Sequence, residues 1–506
     1  MNAPLRRVAI AVLALFGLLV ANANYVQVFE GDKLRTDPGN TRVLLDEYER
    51  QRGSIVVDGG TIIAESRPTN DKLKYLRVYP GKDKYASVTG YYSVIYGKSG
   101  IEQVENDLLT GSDNRLFTRR LSDLLTGRDP RGGNVVLTIQ KRAQETAYQK
   151  LANRAGAVVA LDPRSGAILA LASSPSFDPN PLTSHDPKVI RAAYDKLSAD
   201  ENDPMVNRAI NERYPPGSTF KVVISAAALQ AGLTPETQVP CPRTYTPPQT
   251  SRPLPNFNGE TCGADQVPFI TALTNSFNTA FAKLAVERLH EPAVRAQAEA
   301  FGITDTGFSM PLSVSGSQVC SRDRDPQAPG PSGCRIPDDP ALAQSAIGQR
   351  NVAITPLQGA MLAAAVANHG QLMRPHLVKE LQAPDLSVLD RTEPEPFNPD
   401  QPQTLPPQAA AELTRMMVSV VDKGTGRRAR INGVQVAGKT GTAQNATGKQ
   451  PHAWFIGFAP ADNPQVAVAV VLENAGTTGS EVTGGLAAGP IAKAVMEAVL
   501  NIREGG

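Results

Sequence analysis

The chain has 506 residues, of which 41% are hydrophobic and 20% charged, so it can bury a core and global disorder is excluded. Its 51 Lys and Arg residues nearly balance its 49 Asp and Glu residues, giving a net charge of +2. Together with the low aromatic content of 5%, this balance argues against a nucleic-acid partner. A chain of this length is typical of about two to four domains.

The N-terminus carries an uncharged, largely apolar segment at residues 8–29, directly after Arg6 and Arg7. At about 1.5 Å per residue, it could span a hydrocarbon layer of about 30 Å. The two arginines predict a cytoplasmic N-terminus, with the rest of the chain outside the membrane. Ala21-Asn22-Ala23 also has the form of a signal-peptide cleavage site, which is the alternative. We predict a single-pass anchor within residues 1–29.

Residues 30–150 are predicted to form a β-rich N-terminal domain, a pedestal for interactions. Apolar runs at 54–57 and 61–64 flank Asp58-Gly59-Gly60, a strong signal for a β-hairpin. The Gly- and Pro-containing cluster at 127–133 is the clearest break in this half of the chain.

Residues 151–506 are predicted to form a second domain, after a strand at 135–139 and a helix at 143–153. The further predictions, in chain order, are strands at 156–161 and 167–172, a Pro- and acid-rich loop at 384–407, a helix at 409–421, strands at 453–458 and 466–472, and a helix at 486–500. This order predicts an α/β (α+β) sandwich with an antiparallel sheet flanked by helices.

Four cysteines in a chain predicted to be exported favour disulfide bonds. Sequence permits three pairings, and four free thiols are the alternative. We favour the sequence-local pairs, Cys241 with Cys262 and Cys320 with Cys334, because each lies in a Pro- and Gly-rich region where a cross-link restrains a long loop. No metal site is predicted, because the chain has no C-x-x-C pair.

The first candidate chemical motif is Ser218-Thr219-Phe220-Lys221, where a helical run begins. At a helix start, the serine and the lysine share a face. A serine hydroxyl is a weak nucleophile that needs a base, and lysine can be that base when burial or a neighbouring cation favours its neutral form. Alone the motif is expected about once by chance, and a capping serine with a solvated lysine is the ordinary alternative.

The second candidate motif is Ser276-Phe277-Asn278. Its serine could relay a proton between Lys221 and a leaving amine, and the Asn278 amide could hold a peptide backbone. A Ser or Asx turn before a helix is the ordinary alternative.

The third candidate motif is Lys439-Thr440-Gly441-Thr442, close before the two predicted C-terminal strands. On an edge strand, Lys439 would supply a positive charge, and Thr440 and Thr442 would supply hydroxyl donors for a carboxylate. Gly441 would let a ligand approach the backbone. The alternative is a turn with an exposed lysine.

The three motifs in this order predict an enzyme that uses Ser218 as its nucleophile. A literal S-D-N triplet at 112–114 precedes Ser218 and lies in a turn-rich stretch, so we interpret it as a turn.

The motifs give the chain a resemblance to the class B penicillin-binding proteins, the monofunctional transpeptidases. Further segments share this resemblance: Arg52-Gly53-Ser54-Ile55, Gly100-Ile101-Glu102, Ala346-Ile347-Gly348-Gln349 and His452-Ala453-Trp454-Phe455. The cluster at 127–133 is similar to the actinobacterial branch that serves cell shape and division. The departures are one extra residue before Asp58 and the Phe at position 277, which the class B pattern tolerates.

The resemblance implies a mechanism for cross-linking peptidoglycan. Ser218 would attack the penultimate D-Ala carbonyl of a stem peptide with Lys221 as base, Ser276 and Asn278 would relay protons and hold substrate, and Lys439 to Thr442 would bind the terminal carboxylate. The backbone N–H groups of Ser218 and Thr442 would form the oxyanion hole. β-Lactams would acylate the same serine. The resemblance also implies lipid-linked precursor as substrate, a membrane glycosyltransferase partner, and no metal or organic cofactor.

Three other functions remain as alternatives. A β-lactamase needs a carboxylate that activates water, but no acidic residue lies between Asp305 and Asp323, where class A spacing would place it. A D-Ala-D-Ala carboxypeptidase would differ only in its acceptor. A catalytically silent scaffold of a wall-synthesis complex would not need Ser218.

Overall fold

The structure is a computed structural model that describes residues 2–30, 47–117, 131–304, 306–320, 334–444, 450–475 and 484–502. Of the predicted break at 127–133, residues 127–130 lie outside the described residues.

A single long helix, Asn2–Phe29, forms the N-terminus. Its segment Arg6–Gln27 has a mean hydropathy of 2.0, and is long and apolar enough to cross a membrane. The side chains described along it, including Leu13, Leu18 and Tyr25, are exposed. This length and composition fit both a membrane anchor and an export signal.

A five-stranded antiparallel sheet, here called the central sheet, contains the four strands predicted within residues 151–506. Its order is Ala437–Ala443, His452–Ala459, Val466–Leu472, Gly156–Leu161 and Ile168–Ser174. The four strands predicted from apolar runs are therefore confirmed, with ends shifted by no more than two residues. Their runs are continuously apolar because both faces of the sheet are covered.

Helices cover the two faces of the central sheet. Helix Pro356–Ala367 packs on one face, where it belongs to the larger hydrophobic core. Helices Lys141–Leu151 and Gly489–Val499 pack on each other and on the other face, around a separate core. The predicted antiparallel sheet flanked by helices is confirmed.

A second, six-stranded sheet, here called the front sheet, joins distant parts of the chain. Its order is Val388–Arg391, Val378–Gln382, Asn134–Gln140, Ile55–Asp58, Thr61–Pro68 and Tyr75–Val78. The predicted hairpin is confirmed, since Gly59 and Gly60 both have positive φ in the two-residue connection that such a hairpin requires.

The prediction of a loop throughout 384–407 is wrong at Val388–Arg391, which is the edge strand of the front sheet. The Pro- and acid-rich composition of this stretch gives no strand signal. The strand forms because Val378–Gln382 supplies its hydrogen-bond partner, and a short edge strand needs few apolar residues.

The remaining elements connect the sheets and build the helical layer around the larger core. The other helices are Ala86–Thr89, Gly100–Val104, Asn106–Thr110, Pro187–Ser198, Lys221–Gln230, Phe269–Asn275, Asn278–Leu284, His290–Ala300, Asp339–Ser345 and Pro407–Asp422. Single turns lie at Lys82–Lys84, Asn114–Leu116, Asn180–Thr183, Gly217–Phe220, Phe257–Gly259, Ala285–Leu289, Arg427–Ala429 and Gly484–Ala488. The short strands are Tyr92–Ser93, Gly97–Lys98, Gln238–Pro240, Thr244–Tyr245, Leu254–Pro255, Gln266–Pro268, Phe308–Ser309 and Ser313–Val314.

A buried ion cluster holds the front region together. The Glu102 carboxylate accepts hydrogen bonds from Arg52 Nε and Arg77 Nε, each at 2.6 Å, and from the Tyr79 hydroxyl at 3.1 Å. Arg52 also donates to the Asn106 side chain at 2.8 Å. Burial alone would raise the pKa of Glu102, but the charges of Arg77 and Arg52 outweigh it and lower that pKa below its ordinary value. The cluster ties the start of the hairpin to the short helices that follow it.

Replacing Glu102 with Ala should lower the free energy of unfolding by about 3–5 kcal/mol, because two buried guanidinium groups lose their counter-charge. The exposed pair of Glu65 and Arg67 provides the control, and Glu65→Ala should cost less than about 1 kcal/mol. Urea denaturation measures both. Because the folded-state pKa of Glu102 is lowered, its contribution should be present above the unfolded-state pKa and should be lost as pH falls through the folded-state value. Equal destabilisation by the two substitutions would contradict the assignment.

Candidate active site

Ser218 lies in the single turn Gly217–Phe220, which leads directly into helix Lys221–Gln230. Gly217 has a φ of +54°, and a Cβ there would lie 2.5 Å from the Thr442 carbonyl oxygen. The Gly217 N–H donates to the Gly348 carbonyl at 2.9 Å. The Trp454 indole donates to the Pro215 carbonyl at 3.0 Å. The turn before the serine is therefore fixed from both sides, against the third motif and against the 348 loop.

The Lys221 side chain is fully buried and lies at the centre of the site. Its Nζ is 3.0 Å from Ser218 Oγ and 3.0 Å from Ser276 Oγ. It also donates to the Ser276 carbonyl at 2.6 Å and to Asn278 Oδ1 at 2.7 Å. The structure thus brings the first two predicted motifs into direct contact.

These four oxygens differ in what they can do. The Ser276 carbonyl and the Asn278 Oδ1 atom can only accept hydrogen bonds, whereas the hydroxyls of Ser218 and Ser276 can also donate. A neutral amine has two hydrogens for the two pure acceptors, and its lone pair can then accept from a hydroxyl. The geometry therefore accommodates Lys221 as the base that receives the Ser218 proton.

The second motif lies where one helix ends and the next begins. Ser276 caps helix Phe269–Asn275 with a φ of +63°, and Asn278 begins helix Asn278–Leu284. This left-handed residue turns the chain so that the Ser276 hydroxyl and carbonyl and the Asn278 amide all reach Lys221. In a continuous helix, residues two positions apart point in different directions, so Ser276 and Asn278 could not both face Lys221. The break between the two helices allows both side chains to reach it.

The third motif lies on Ala437–Ala443, an edge strand of the central sheet as predicted. The buried Lys439 ammonium donates to Ser276 Oγ at 2.9 Å, so both lysines share that hydroxyl. The Thr440 hydroxyl is 2.6 Å from the Thr425 hydroxyl. A Cβ at Gly441 would lie 2.7 Å from the Pro216 carbonyl oxygen, so glycine allows the strand to pack against the serine turn. Thr442 is only partly buried.

The S-D-N triplet at 112–114 forms a local turn, since the Asp113 carboxylate accepts from the Arg115 backbone N–H at 2.8 Å. It contributes nothing to the contacts among the three motifs described above.

The structure pairs Cys241 with Cys262 and Cys320 with Cys334, the same two pairs favoured from the sequence. The first pair lies near the site, because Asn256 contacts Cys262 through Nδ2 and accepts from the Thr279 backbone N–H at 2.9 Å. Thr279 follows Asn278, so this loop braces the helix that carries the second motif. Among the described residues, no group of three or more His, Cys, Asp or Glu could hold a metal ion.

The motifs did not reveal all of the positioning residues. Thr425, Gly348 and Trp454 hold the third motif and the serine turn through long-range contacts. Gly348 and Trp454 lie in segments that resemble the family, and this resemblance could have identified them as positioning residues. For Thr425 the signal was weak, a Gly-Thr-Gly sequence after a helix.

The fold and the three converging motifs define a serine acyltransferase site on a penicillin-recognising scaffold. The chain matches the penicillin binding protein transpeptidase domain over residues 156–497, and the penicillin binding protein A dimerisation domain over residues 52–135. It belongs to the class B penicillin-binding proteins.

Similar proteins support this membership over nearly the whole chain. A Mycolicibacterium smegmatis protein named peptidoglycan D,D-transpeptidase PbpA is 47% identical over 515 residues, covering 100% of both chains. The structure of M. tuberculosis penicillin-binding protein A as its imipenem acyl-enzyme complex is 44% identical with a TM-score of 0.82, covering 90% of this chain and 100% of that one. Its penicillin G acyl-enzyme complex gives the same identity of 44% and TM-score of 0.82, over 89% and 100%.

Gly348→Ala should slow acylation by benzylpenicillin about a hundredfold, because its Cβ would lie 2.0 Å from the Gly217 carbonyl oxygen and would displace the serine turn. Gly433→Ala is the matched control, since Gly433 has a similar positive φ but no atom within 4 Å of the added Cβ. It should lose only about 1–2 kcal/mol of stability and keep its acylation rate. Stopped-flow acylation with a fluorescent penicillin measures both rates, and similar rates for the two variants would refute this positioning role.

Proposed function

We propose that this chain is a peptidoglycan D,D-transpeptidase that cross-links stem peptides through an acyl-enzyme on Ser218. The observation that carries the proposal is the contact of the buried Lys221 amine with the hydroxyls of Ser218 and Ser276. A nucleophile, a base and a second hydroxyl then form one continuous path for a proton.

In the acylation step, Ser218 Oγ attacks the penultimate D-Ala carbonyl while Lys221 accepts the hydroxyl proton. The C–O bond forms, the C–N bond breaks, and the leaving D-Ala nitrogen takes a proton through Ser276. Lys221 is fully buried and near a second lysine, the two conditions that favour a neutral amine. The backbone N–H groups of Ser218 and Thr442 are assigned to the oxyanion, since Gly217 brings the serine turn against Thr442.

The substrate carboxylate is assigned to Lys439, Thr440 and Thr442. Lys439 is held by Ser276 and by the Thr440 carbonyl at 3.0 Å, which fixes its charge at the edge strand. Gly441 keeps that strand flat against the serine turn, and Asn278 faces the same base. A β-lactam would enter in the same orientation, with its carboxylate at this end.

The N-terminal helix supports a proposed membrane arrangement. We assign residues 1–29 as a single-pass anchor with a cytoplasmic N-terminus, because Arg6 and Arg7 precede the apolar segment. Residues 30–150 would then form the extracytoplasmic pedestal and residues 151–506 the transpeptidase domain. Lipid-linked precursor would supply stem peptides, and a membrane glycosyltransferase partner would make the strands to be joined.

Ser218→Ala should abolish covalent labelling by benzylpenicillin, whereas wild type should gain the mass of one intact antibiotic. Intact-protein mass spectrometry measures this on the folded, detergent-solubilised chain. A folded wild-type protein with neither adduct nor antibiotic hydrolysis would favour the silent scaffold. Rapid hydrolysis without an adduct would favour a β-lactamase.

Lys221→Met should lower the acylation rate by about 10²–10⁴-fold, because the base for Ser218 is lost. Lys283→Met is the control, since Lys283 lies on the nearby helix Asn278–Leu284 but forms an exposed ion pair with Glu287. It should acylate like wild type. Thermal unfolding of both variants separates loss of the base from loss of the fold, and a folded Lys221→Met protein with a near-normal rate would remove Lys221 from the mechanism.

A further inference from the structure

A cavity of about 620 Å³ lies beside the second and third motifs. Asn275 and Phe277, on either side of Ser276, form one wall, and Thr425 with Gly485 forms another. Three cationic side chains and one acidic side chain also line it: Lys423, Arg427, Arg428 and Glu260. The cavity therefore offers a positively charged surface next to the reacting groups.

The cavity borders the proposed carboxylate end of the cleft, with Thr425 as the link between them. Thr425, which lines it, hydrogen-bonds Thr440 at 2.6 Å. A Cβ at Gly485 would lie 2.2 Å from the Thr425 carbonyl oxygen and 3.3 Å from Thr440 Cγ2. Glycine at this position therefore allows the backbone to pack directly against both threonines. A molecule that extends beyond the proposed carboxylate position at Thr440 would enter this space.

Two of the cations have their charged groups available for a ligand. The Arg427 guanidinium donates to the Lys423 carbonyl, which fixes it to the end of helix Pro407–Asp422. Among the described residues, neither the Lys423 ammonium nor the Arg428 guanidinium has a hydrogen bond or an ion pair, and both side chains are exposed. Adjacent like charges are stabilised by an anion, which favours a carboxylate-bearing ligand.

The second step of the proposed reaction, attack of an amine on the acyl-enzyme, indicates which carboxylate-bearing ligand binds in this cavity. Attack by an amine on the acyl-enzyme is the reverse of the step that expelled D-Ala, so the acceptor nitrogen must arrive where the D-Ala nitrogen left. The remainder of the acceptor then extends past the D-Ala carboxylate position. We propose that this cavity is the acceptor subsite, where Lys423 and Arg428 bind a carboxylate of the incoming stem peptide. This inference rests on the proposed transpeptidase function.

The step balances without a further reactant. The acceptor nitrogen forms a C–N bond to the acyl carbonyl, the C–O bond to Ser218 breaks, and one amine proton returns to Ser218 Oγ through Ser276 and Lys221. Water competes for the same acyl-enzyme. The ratio of aminolysis to hydrolysis therefore reports acceptor binding independently of how fast the acyl-enzyme forms.

The test uses the full chain with a stem pentapeptide donor and a stem-derived tripeptide acceptor whose carboxylates are either free or converted to carboxamides. Mass spectrometry measures the product ratio for wild type and for Lys423→Ala/Arg428→Ala. The charge-matched control is Lys379→Ala/Arg415→Ala, which removes two exposed cations paired with Asp58 and Glu236. The ratio should fall about tenfold with the carboxylate acceptor in the first variant, and should change less than about twofold with the carboxamide acceptor. The control should match wild type with both acceptors.

An unchanged ratio, or an equal fall with both acceptors, would overturn the subsite while leaving the transpeptidase function intact. A wild-type protein that releases D-Ala but only hydrolyses the acyl-enzyme would also overturn it and would favour the carboxypeptidase. If wild type forms no acyl-enzyme from the donor, the proposed function fails and the subsite fails with it.

Discussion

The burial of the Lys221 amine is the constraint on which the site depends. An amine removed from water is costly unless polar partners replace the lost hydration. Its described partners come from the serine turn and from the junction between two helices, and Ser276 connects it to Lys439 on the edge strand. These segments are far apart in sequence, so satisfying one buried nitrogen requires that all of them be in place.

The scaffold meets this requirement because each of these segments packs against a sheet strand or a buried helix. The edge strand is paired along its whole length with His452–Ala459, whose Trp454 side chain also holds Pro215. Helix Pro356–Ala367 is fully buried against the central sheet, and the 348 loop before it accepts from Gly217. Displacement of the serine would therefore disturb packed core residues, which explains how a reactive group can be kept in a fixed orientation.

Sequence reasoning succeeded where the signal is local. Continuous apolar runs identify the strands of the central sheet, and Asp58-Gly59-Gly60 identifies the hairpin, because burial and turn geometry act on neighbouring residues. It failed where partners are distant. The parallel pairing of Ile55–Asp58 with Asn134–Gln140 and the edge strand Val388–Arg391 depend on pairings that leave no trace in either segment alone. Thr425 was missed for the same reason, since its role depends on its contact with Thr440, which is distant in sequence.

The two clusters of buried ionisable groups show opposite uses of the same physics. In the front region, Glu102 is surrounded by Arg52 and Arg77, so opposite charges satisfy one another and the carboxylate is held in its charged form. In the site, Lys221 and Lys439 are like groups that share the Ser276 hydroxyl. Opposite charges stabilise one protonation state and so favour a fixed structure. Two like groups around one hydroxyl do not neutralise each other, and this is the arrangement that the proposed proton transfer from Ser218 to Lys221 requires.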